Sequence, residues 1–407
     1  MTVRKPLSGV RVTDFTWIGA GSYASKILAD FGADVVKIES ATRVDSLRLA
    51  APYKDGRKGV NRSGYFADRN TSKRSIALDM KHPEALGLVQ RLIAKSDIIA
   101  NNFTPGVMDR FGLDYAAVRT IRPDIIYLSM SMQGASGPQS GYLGYGSSMA
   151  SVTGFQYLTG LPGREPAGTG TNYPDHVPNP CHAAFAVLAA LRHRRRTGEG
   201  QRIDIAQTEP TIALLGPAIL DLTVNGRLQQ PRGNDHDTAA PYGVFRCAGD
   251  DRWIAICVMN DEQWRALACV LGDPAWMAEA AWARERDRHA QRTELAHRLH
   301  VETARWTAEA LMTALQQAGV PAGGVESAKD VIENDPQLAH RGHWVSLDHP
   351  EMGCSLYNAP PFRCTRTPVA LERPAPLLGQ HTRDICRELL DLDDAAYERL
   401  AASGVFN

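Results

Sequence analysis

The sequence predicts an α/β fold with a mostly parallel sheet, joined to a smaller α+β domain. Three observations predict it. Short apolar runs rich in Val and Ile alternate with amphipathic helical stretches through the first half of the chain. Glycines such as Gly32 and Gly198 stand where those helical stretches should stop. From Tyr242 the texture changes to two short strands followed by three helices, the order of an α+β unit.

At 407 residues the chain is too long for one ordinary core, so two domains are expected. Hydrophobic residues make up 43% and charged residues 22%, which excludes a disordered or fibrous protein. Lys plus Arg and Asp plus Glu balance at 45 each, so no global field favours nucleic acid or a membrane, and an anionic ligand must be met by a local cluster. The first residues lack the apolar stretch of a signal peptide and no apolar run is long enough to span a bilayer, so a cytoplasmic location is expected. The seven cysteines include no C-x-x-C pair; reduced thiols at buried positions are expected, with neither disulfides nor a metal site.

Residues 10–15 read as a buried strand entering a glycine-rich turn that opens a helix carrying Ala24, Ile27, Leu28 and Phe31. Residues 35–39 form a second strand with Glu39 at its tip. Gly19, Gly21 and Ala24 make a G-x-G-x-x-A pattern, and Glu39 stands where a ribose-binding carboxylate would in a dinucleotide fold. The same glycines serve any tight strand-to-helix turn packed on a sheet, so NAD binding and simple close packing both fit. A basic loop region follows, from Arg43 and Arg48 through Arg69 to Arg74. Strands at 75–79, 97–100, 125–130 and 201–206 alternate with helices opened by Pro83 and at 108–111, 115–121 and 211–224. Residues 133–148, rich in Gly, Ser and Tyr, leave the carboxyl end of a strand, where such sheets bind ligands.

Residues 172–200 carry the plainest chemical signal. Pro174 and Pro178 stiffen a loop holding Asp175; Asn179 is the expected N-cap and Pro180 the first helical residue. The Ala-rich helix that follows, with Phe185, Val187, Leu188 and Leu191, should be largely buried, and its Arg192, Arg194, Arg195 and Arg196 suit the negative end of the helix dipole. A carboxylate held still ahead of a helix N-terminus is a candidate for chemistry; the alternative is a turn cap.

In order, residues 1–225 read as the N-terminal part of the large domain, 226–240 as a linker, 241–335 as the small α+β domain, 336–375 as a return linker, and 376–407 as a helical C-terminal part that rejoins the large domain.

Several stretches, in this order and spacing, resemble the family III CoA-transferases, a group that includes formyl-CoA and carnitine CoA-transferases and the α-methylacyl-CoA racemases. They are Pro-Leu-Ser-Gly-Val-Arg-Val-Thr-Asp-Phe-Thr, Phe-Gly-Ala-Asp-Val-Val-Lys-Ile-Glu, Asn-Thr-Ser-Lys-Arg-Ser-Ile-Ala-Leu-Asp-Met-Lys, Asn-Asn-Phe-Thr-Pro-Gly-Val-Met-Asp-Arg-Phe-Gly, the Asp175 loop and Arg-Arg-Arg-Thr-Gly-Glu-Gly-Gln. The return segment matches too, so the likeness covers nearly the whole chain.

The resemblance implies a Rossmann-like large domain built from the N- and C-terminal parts, and an interlocked homodimer. It implies acyl-CoA and a carboxylic acid as small-molecule substrates, no metal, and Asp175 as the nucleophile. By position, Ile18, Gly19, Leu78, Lys81, Asn102, Phe103, Thr104, Val107 and Arg110 are implied to hold CoA, with Gly134, Ala135, Tyr145 and His176 around the acceptor pocket. Some relatives carry Gln where Gly19 stands and Arg where Ser40 stands, contacts that Arg43 or Arg48 would have to replace. The racemase branch carries His where this chain has Tyr145, which favours a transferase over the alternatives, a racemase or a non-catalytic CoA-binding homologue.

Overall fold

The computed structural model of the protein describes residues 4–407. Six strands, β1 (Arg11–Asp14), β2 (Asp34–Glu39), β3 (Arg74–Ala77), β4 (Ile98–Asn101), β5 (Ile126–Ser129) and β6 (Gln201–Asp204), form one parallel sheet in the order β3-β2-β1-β4-β5-β6. Residues of β1, β2, β4 and β5 are buried on both faces, which is why these strands read as continuous apolar runs rather than alternating ones. The order reverses between β1 and β4, and a crevice opens there at the carboxyl ends of the strands. Just past β4, Asn102 is tied to the turn after β1: its side-chain Oδ1 accepts from the Trp17 backbone N–H at 2.8 Å and its Nδ2 donates to the Trp17 carbonyl at 2.7 Å.

Five helices position the site: α1 (Ile18–Asp30), α2 (Gly64–Arg69), α3 (Gly146–Val152), α4 (Tyr173–His176) and α5 (Pro178–Thr197). On one side of the sheet, α1 and α5 share a core of Ala20, Ala24, Leu28, Ala183, Val187, Ala190 and Leu191, where small side chains let the helices approach closely. On the other side Leu88, Val89, Leu92 and Ile93 pack with Ile385, Leu389 and Leu400. The C-terminal helices Thr382–Leu389 and Asp394–Ser403 are tied to the β3 edge: Ala77 N–H donates to Thr382 Oγ1 at 3.0 Å, and Asp79 N–H to the Val405 carbonyl at 2.8 Å.

The chain divides into two compact units. The first runs up to Tyr157 and adds Gly168–Gln229 and Ala339–Asn407; the second is Leu158–Ala167 with Gln230–Leu338. The second holds a three-stranded antiparallel sheet, β7 (Tyr242–Arg246), β8 (Trp253–Cys257) and β9 (Ala322–Gly324), with helices Asp261–Val270, Arg292–Thr303 and Ala308–Gln317. Its core gathers Trp264, Trp282, Leu267, Leu299 and Leu311.

Four details differ from the sequence expectations. Residues 336–375 are not a bare return linker: they carry the helix Pro336–Arg341 and an antiparallel hairpin, β10 (Trp344–His349) and β11 (Gly353–Asn358), and Met352, Tyr357, Leu371 and Ala375 are buried with Leu47 and Phe66. The long helix starts at Pro178 with Val177 in the cap position, so Asn179 lies inside it; there its amide donates to Gln207 Oε1 at 3.3 Å instead of capping. Phe185 and Leu188 are not buried but 73% and 46% exposed, because the 3.6-residue period turns only Ala183, Val187, Ala190 and Leu191 toward the core. Of the seven cysteines only Cys247 and Cys386 are buried, and Cys181, Cys269 and Cys354 are exposed.

Candidate active site

Asp175 sits in the short helix α4 rather than in an irregular loop, and it is 4% exposed. Two glycines leave room for its carboxyl. A β-carbon on Gly19, in the first turn of α1, would lie 2.9 Å from Asp175 Cβ, and one on Gly146, the first residue of α3, would lie 2.7 Å from Asp175 Oδ2. The Gly146 backbone N–H donates to that oxygen at 3.2 Å. Burial pushes the Asp175 carboxyl up to about 6, with the Gly146 hydrogen bond and the charge of Arg69 working the other way. Near neutral pH it is therefore a charged carboxylate kept poorly hydrated, the state in which oxygen is most nucleophilic.

The turn in front of α1 is held by force. Ile18 has φ of 60°, a left-handed conformation that costs a β-branched residue about 1–3 kcal/mol. Asp45 secures it, accepting from the Ile18 N–H at 3.2 Å and pairing with Lys37 at 3.1 Å, both carboxylate and ammonium fully buried.

His176 follows Asp175 and points its ring at α2: Nε2 lies 3.0 Å from the Tyr65 hydroxyl, and Nδ1 lies 3.1 Å from Thr171 Oγ1. Burial and the charge of Arg69 push its imidazole down to about 4, so it is neutral at physiological pH. Beside it opens a cavity of ≈ 420 Å³, lined by Tyr65, Gly146, Phe155, Gly170, Asn172 and His176 among others.

A second cavity, of ≈ 120 Å³, lies at the crevice of the sheet. Phe15, Trp17, Ile38, Arg43, Leu78, Lys81 and Phe103 line it. Trp17 and Phe103 meet edge to face at 5.8 Å between ring centroids, and the Arg43 guanidinium lies 5.6 Å from the Trp17 ring. This apolar slot with cations at its rim suits a flat aromatic ring attached to phosphates.

The structure thus brings Ile18, Gly19, Gly146, Asp175 and His176 to one place, and Leu78, Lys81, Phe103 and Arg43 to another. Asn102 has its side chain committed to Trp17. Thr104 and Ala135 line a separate cavity of ≈ 280 Å³ with Tyr127 and Arg202, while Gly134 is buried against Ala206. Val107 and the exposed Arg110 lie on the helix Val107–Arg110 just beyond. Tyr145 caps α3 with its side chain 60% exposed. Arg48 is not available to replace a surface arginine, because it is fully buried in a two-pronged pair with Glu39 at 2.7 and 2.8 Å. That pair engages both oxygens of the Glu39 carboxylate, and a β-carbon on Gly21 would stand 2.7 Å from Asn102 Cγ and 2.8 Å from Thr16 Cβ, so this glycine serves close packing of the turn.

Tyr65, Arg69, Gly146 and Thr171 were not singled out by sequence as parts of this site. Gly146 carries the one available signal, a glycine directly after Tyr145 in a small-residue loop; Arg69 is hidden among the basic residues of its region. Among the described residues no group of three or more His, Cys, Asp or Glu could hold a metal ion, and no helix is long and apolar enough to cross a membrane.

Residues 7–382 match CoA-transferase family III. The chain is 33% identical over 395 residues to the succinate–glutarate CoA-transferase of Agrobacterium fabrum, covering 97% of this chain and 98% of that one. It is 31% identical over 402 residues to the succinyl-CoA:glutarate CoA-transferase of Mus musculus, covering 98% and 90%. Among solved structures, a CAIB/BAIF family protein from Brucella suis superposes with a TM-score of 0.86 at 31% identity, over 95% of this chain and 100% of that one. A match that runs from the first strand of the parallel sheet to the C-terminal helices, with relatives that are CoA-transferases along almost their whole length, places this chain in CoA-transferase family III.

Proposed function

We propose that the protein moves CoA from an acyl-CoA to a free carboxylic acid, with Asp175 as the nucleophile. The observation that carries this reading is the buried carboxylate of Asp175, pressed between Gly19 and Gly146 and supplied with one backbone N–H. The named substrates of the Agrobacterium and mouse relatives are succinate or succinyl-CoA and glutarate, which points to dicarboxylic acids as the substrate class here.

In the proposed sequence an Asp175 carboxylate oxygen attacks the thioester carbonyl; the C–O bond forms, the C–S bond breaks and CoA thiolate leaves. The thiolate then attacks the aspartyl side of the mixed anhydride, releasing the donor acid and leaving Asp175 as a CoA thioester. An acceptor carboxylate attacks that thioester, the thiolate is freed again, and its attack on the acceptor-derived carbonyl yields the new acyl-CoA and restores the Asp175 carboxylate. No proton is transferred in any step, so the neutral His176 is not required as a base. The Gly146 N–H is placed to stabilise negative charge at the Asp175 oxygen, and burial protects both intermediates from water.

The slot between Trp17, Leu78 and Phe103 would take the adenine, with Arg43 and Lys81 toward its phosphates. The cavity beside His176 and Tyr65 would take the acid. We further propose a homodimer: Phe185, Leu188, Leu220 and Val224 present exposed apolar side chains that a second copy would cover. The test is exchange of CoA between succinyl-CoA and a panel of mono- and dicarboxylic acids. Wild-type protein should turn over dicarboxylates and Asp175→Ala should not; undiminished exchange in Asp175→Ala overturns the assignment.

A further inference from the structure

The cavity of ≈ 420 Å³ beside His176 is lined by the hydroxyl and amides of Ser147, Gln156 and Asn172 and by the rings of Tyr65 and Phe155. Among the described residues that line it there is no lysine, arginine, aspartate or glutamate, and His176 is the one side chain able to carry a positive charge. A dicarboxylic acid that reaches Asp175 with one carboxylate brings a second, and an anion taken into a poorly hydrated cavity needs a counter-charge.

The His176 ring is built to supply one. It stands edge to face against Tyr65, with ring centroids 6.0 Å apart, and each of its nitrogens meets a hydroxyl: Nε2 the Tyr65 phenol at 3.0 Å, Nδ1 the Thr171 Oγ1 at 3.1 Å. A hydroxyl both donates and accepts, so the neutral ring receives a proton from one partner and gives one to the other, whereas the imidazolium gives one to each. The same heavy-atom positions serve both charge states. In the charged state the two oxygens accept from the ring and turn their own O–H groups elsewhere, free to donate to a carboxylate in the cavity that both residues line.

The empty site holds the ring neutral. Burial disfavours the proton most and the charge of Arg69 from α2 adds to it, while Asp68 pulls the other way. Tyr65, also from α2, keeps its phenol proton because burial opposes the phenolate, so it remains a donor. The helix α3 has no titratable side chain, no charge on α1 or α5 bears on the ring, and its neighbour on α4 is Asp175, which is uncharged in the CoA thioester that the acid would meet. A carboxylate entering the cavity tips this balance toward the imidazolium.

We propose that His176 is the receptor for the second carboxylate of a dicarboxylic acid and takes up a proton from solvent as that carboxylate enters, an inference that rests on reading this cavity as the acid's. Tyr65 and Thr171 donate to the bound carboxylate, and the charge exists only while a dicarboxylate is present. The role concerns choice of acid: the proton stays on the ring and enters no bond-making step.

The experiment lets glutarate and monomethyl glutarate compete for CoA from succinyl-CoA, with the two acyl-CoA products counted by mass spectrometry from pH 6 to pH 8.5. The acids differ in the charge of the tail, and both attack the same intermediate, so their product ratio is insensitive to the titration of Asp175. In wild type the preference for glutarate falls about ten-fold from pH 6 to pH 7.5, because binding with proton uptake weakens as protons become scarce. In His176→Gln the preference is lower by about ten-fold at pH 6 and independent of pH. Tyr65→Phe, which removes one donor and keeps the imidazole, lowers the preference but retains its fall with pH. A wild-type preference constant from pH 6 to pH 7.5, or a fall that survives in His176→Gln, overturns the proposal. Failure of wild type to pass CoA to either acid would instead overturn the transferase reading on which it rests.

Discussion

A β-carbon on Gly19 would stand 2.9 Å from the β-carbon and 3.1 Å from the Oδ2 of Asp175, so the first turn of α1 and the carboxylate of α4 fit together only because one of them has no side chain. Gly146 has the same relationship to the other face of the carboxyl, at 2.7 Å from Oδ2. These contacts fix where Asp175 can point.

Gly19→Ala should displace Asp175 without unfolding the sheet. A shift of a few tenths of an ångström to one ångström in an attacking group costs up to about 100-fold in rate. The expected result is a fall in kcat of that order with far-UV circular dichroism unchanged and a stability loss of about 1–3 kcal/mol.

Asp175 itself should stabilise the protein when neutralised. Its folded pKa of about 6 lies above the ordinary value of 3.8, because burial disfavours the charged form. A raised carboxyl contributes its favourable balance only below the unfolded value and loses it as pH rises through about 6. At pH 8 wild type therefore carries a penalty of about 3 kcal/mol that Asp175→Asn lacks. Thermal melts should show Asp175→Asn several degrees more stable at pH 8 and no advantage below pH 4. The same titration predicts that wild-type kcat/KM declines as pH falls through about 6.

Arg48 makes a contrasting case. Burial raises the Glu39 carboxyl, yet Arg48 outweighs it and holds Glu39 below its usual range. Arg48→Met leaves the buried Glu39 carboxylate without its two-pronged partner, with only the Ser75 hydroxyl and the charge of Lys37 to offset its burial, and should cost about 3–5 kcal/mol at neutral pH. A depressed carboxyl contributes above its unfolded value and loses that contribution as pH falls through the folded one. The gap between wild type and variant should therefore close on acidification, measured by urea unfolding from pH 7 downward.

The apolar face of α5 tests the oligomer. Phe185 and Leu188 are 73% and 46% exposed on one side of a helix whose other side is packed. Leu188→Asp combined with Phe185→Asp should lower the sedimentation mass from dimer to monomer; an unchanged mass would place the interface elsewhere.

Much of this was legible in the residues. Apolar runs at 10–15, 35–39, 97–100 and 125–130 became β1, β2, β4 and β5, because buried parallel strands need no alternation. Asp175 stood out through its prolines and the helix behind it. The rest depended on long-range contacts. Nothing local distinguishes Arg69 from Arg62 or Arg74 in a basic region, and only the fold puts Tyr23, from a different helix, against its guanidinium. The hairpin of β10 and β11 carries no local signal of its own, because the prolines and glycines around it resemble those of a linker. The exposure of Phe185 and Leu188 is not legible either, because an Ala-rich helix shows no clear polar face to mark which side meets solvent.

The central claim is a covalent bond at Asp175. The direct measurement is to mix the protein with succinyl-CoA alone, quench within milliseconds to seconds in hydroxylamine, digest and sequence the peptides by mass spectrometry. An activated Asp175, whether anhydride or CoA thioester, should appear as the hydroxamate on that residue and be missing from protein treated with free CoA and succinate. Turnover of CoA between acids with Asp175 recovered unmodified at every quench time would contradict the account.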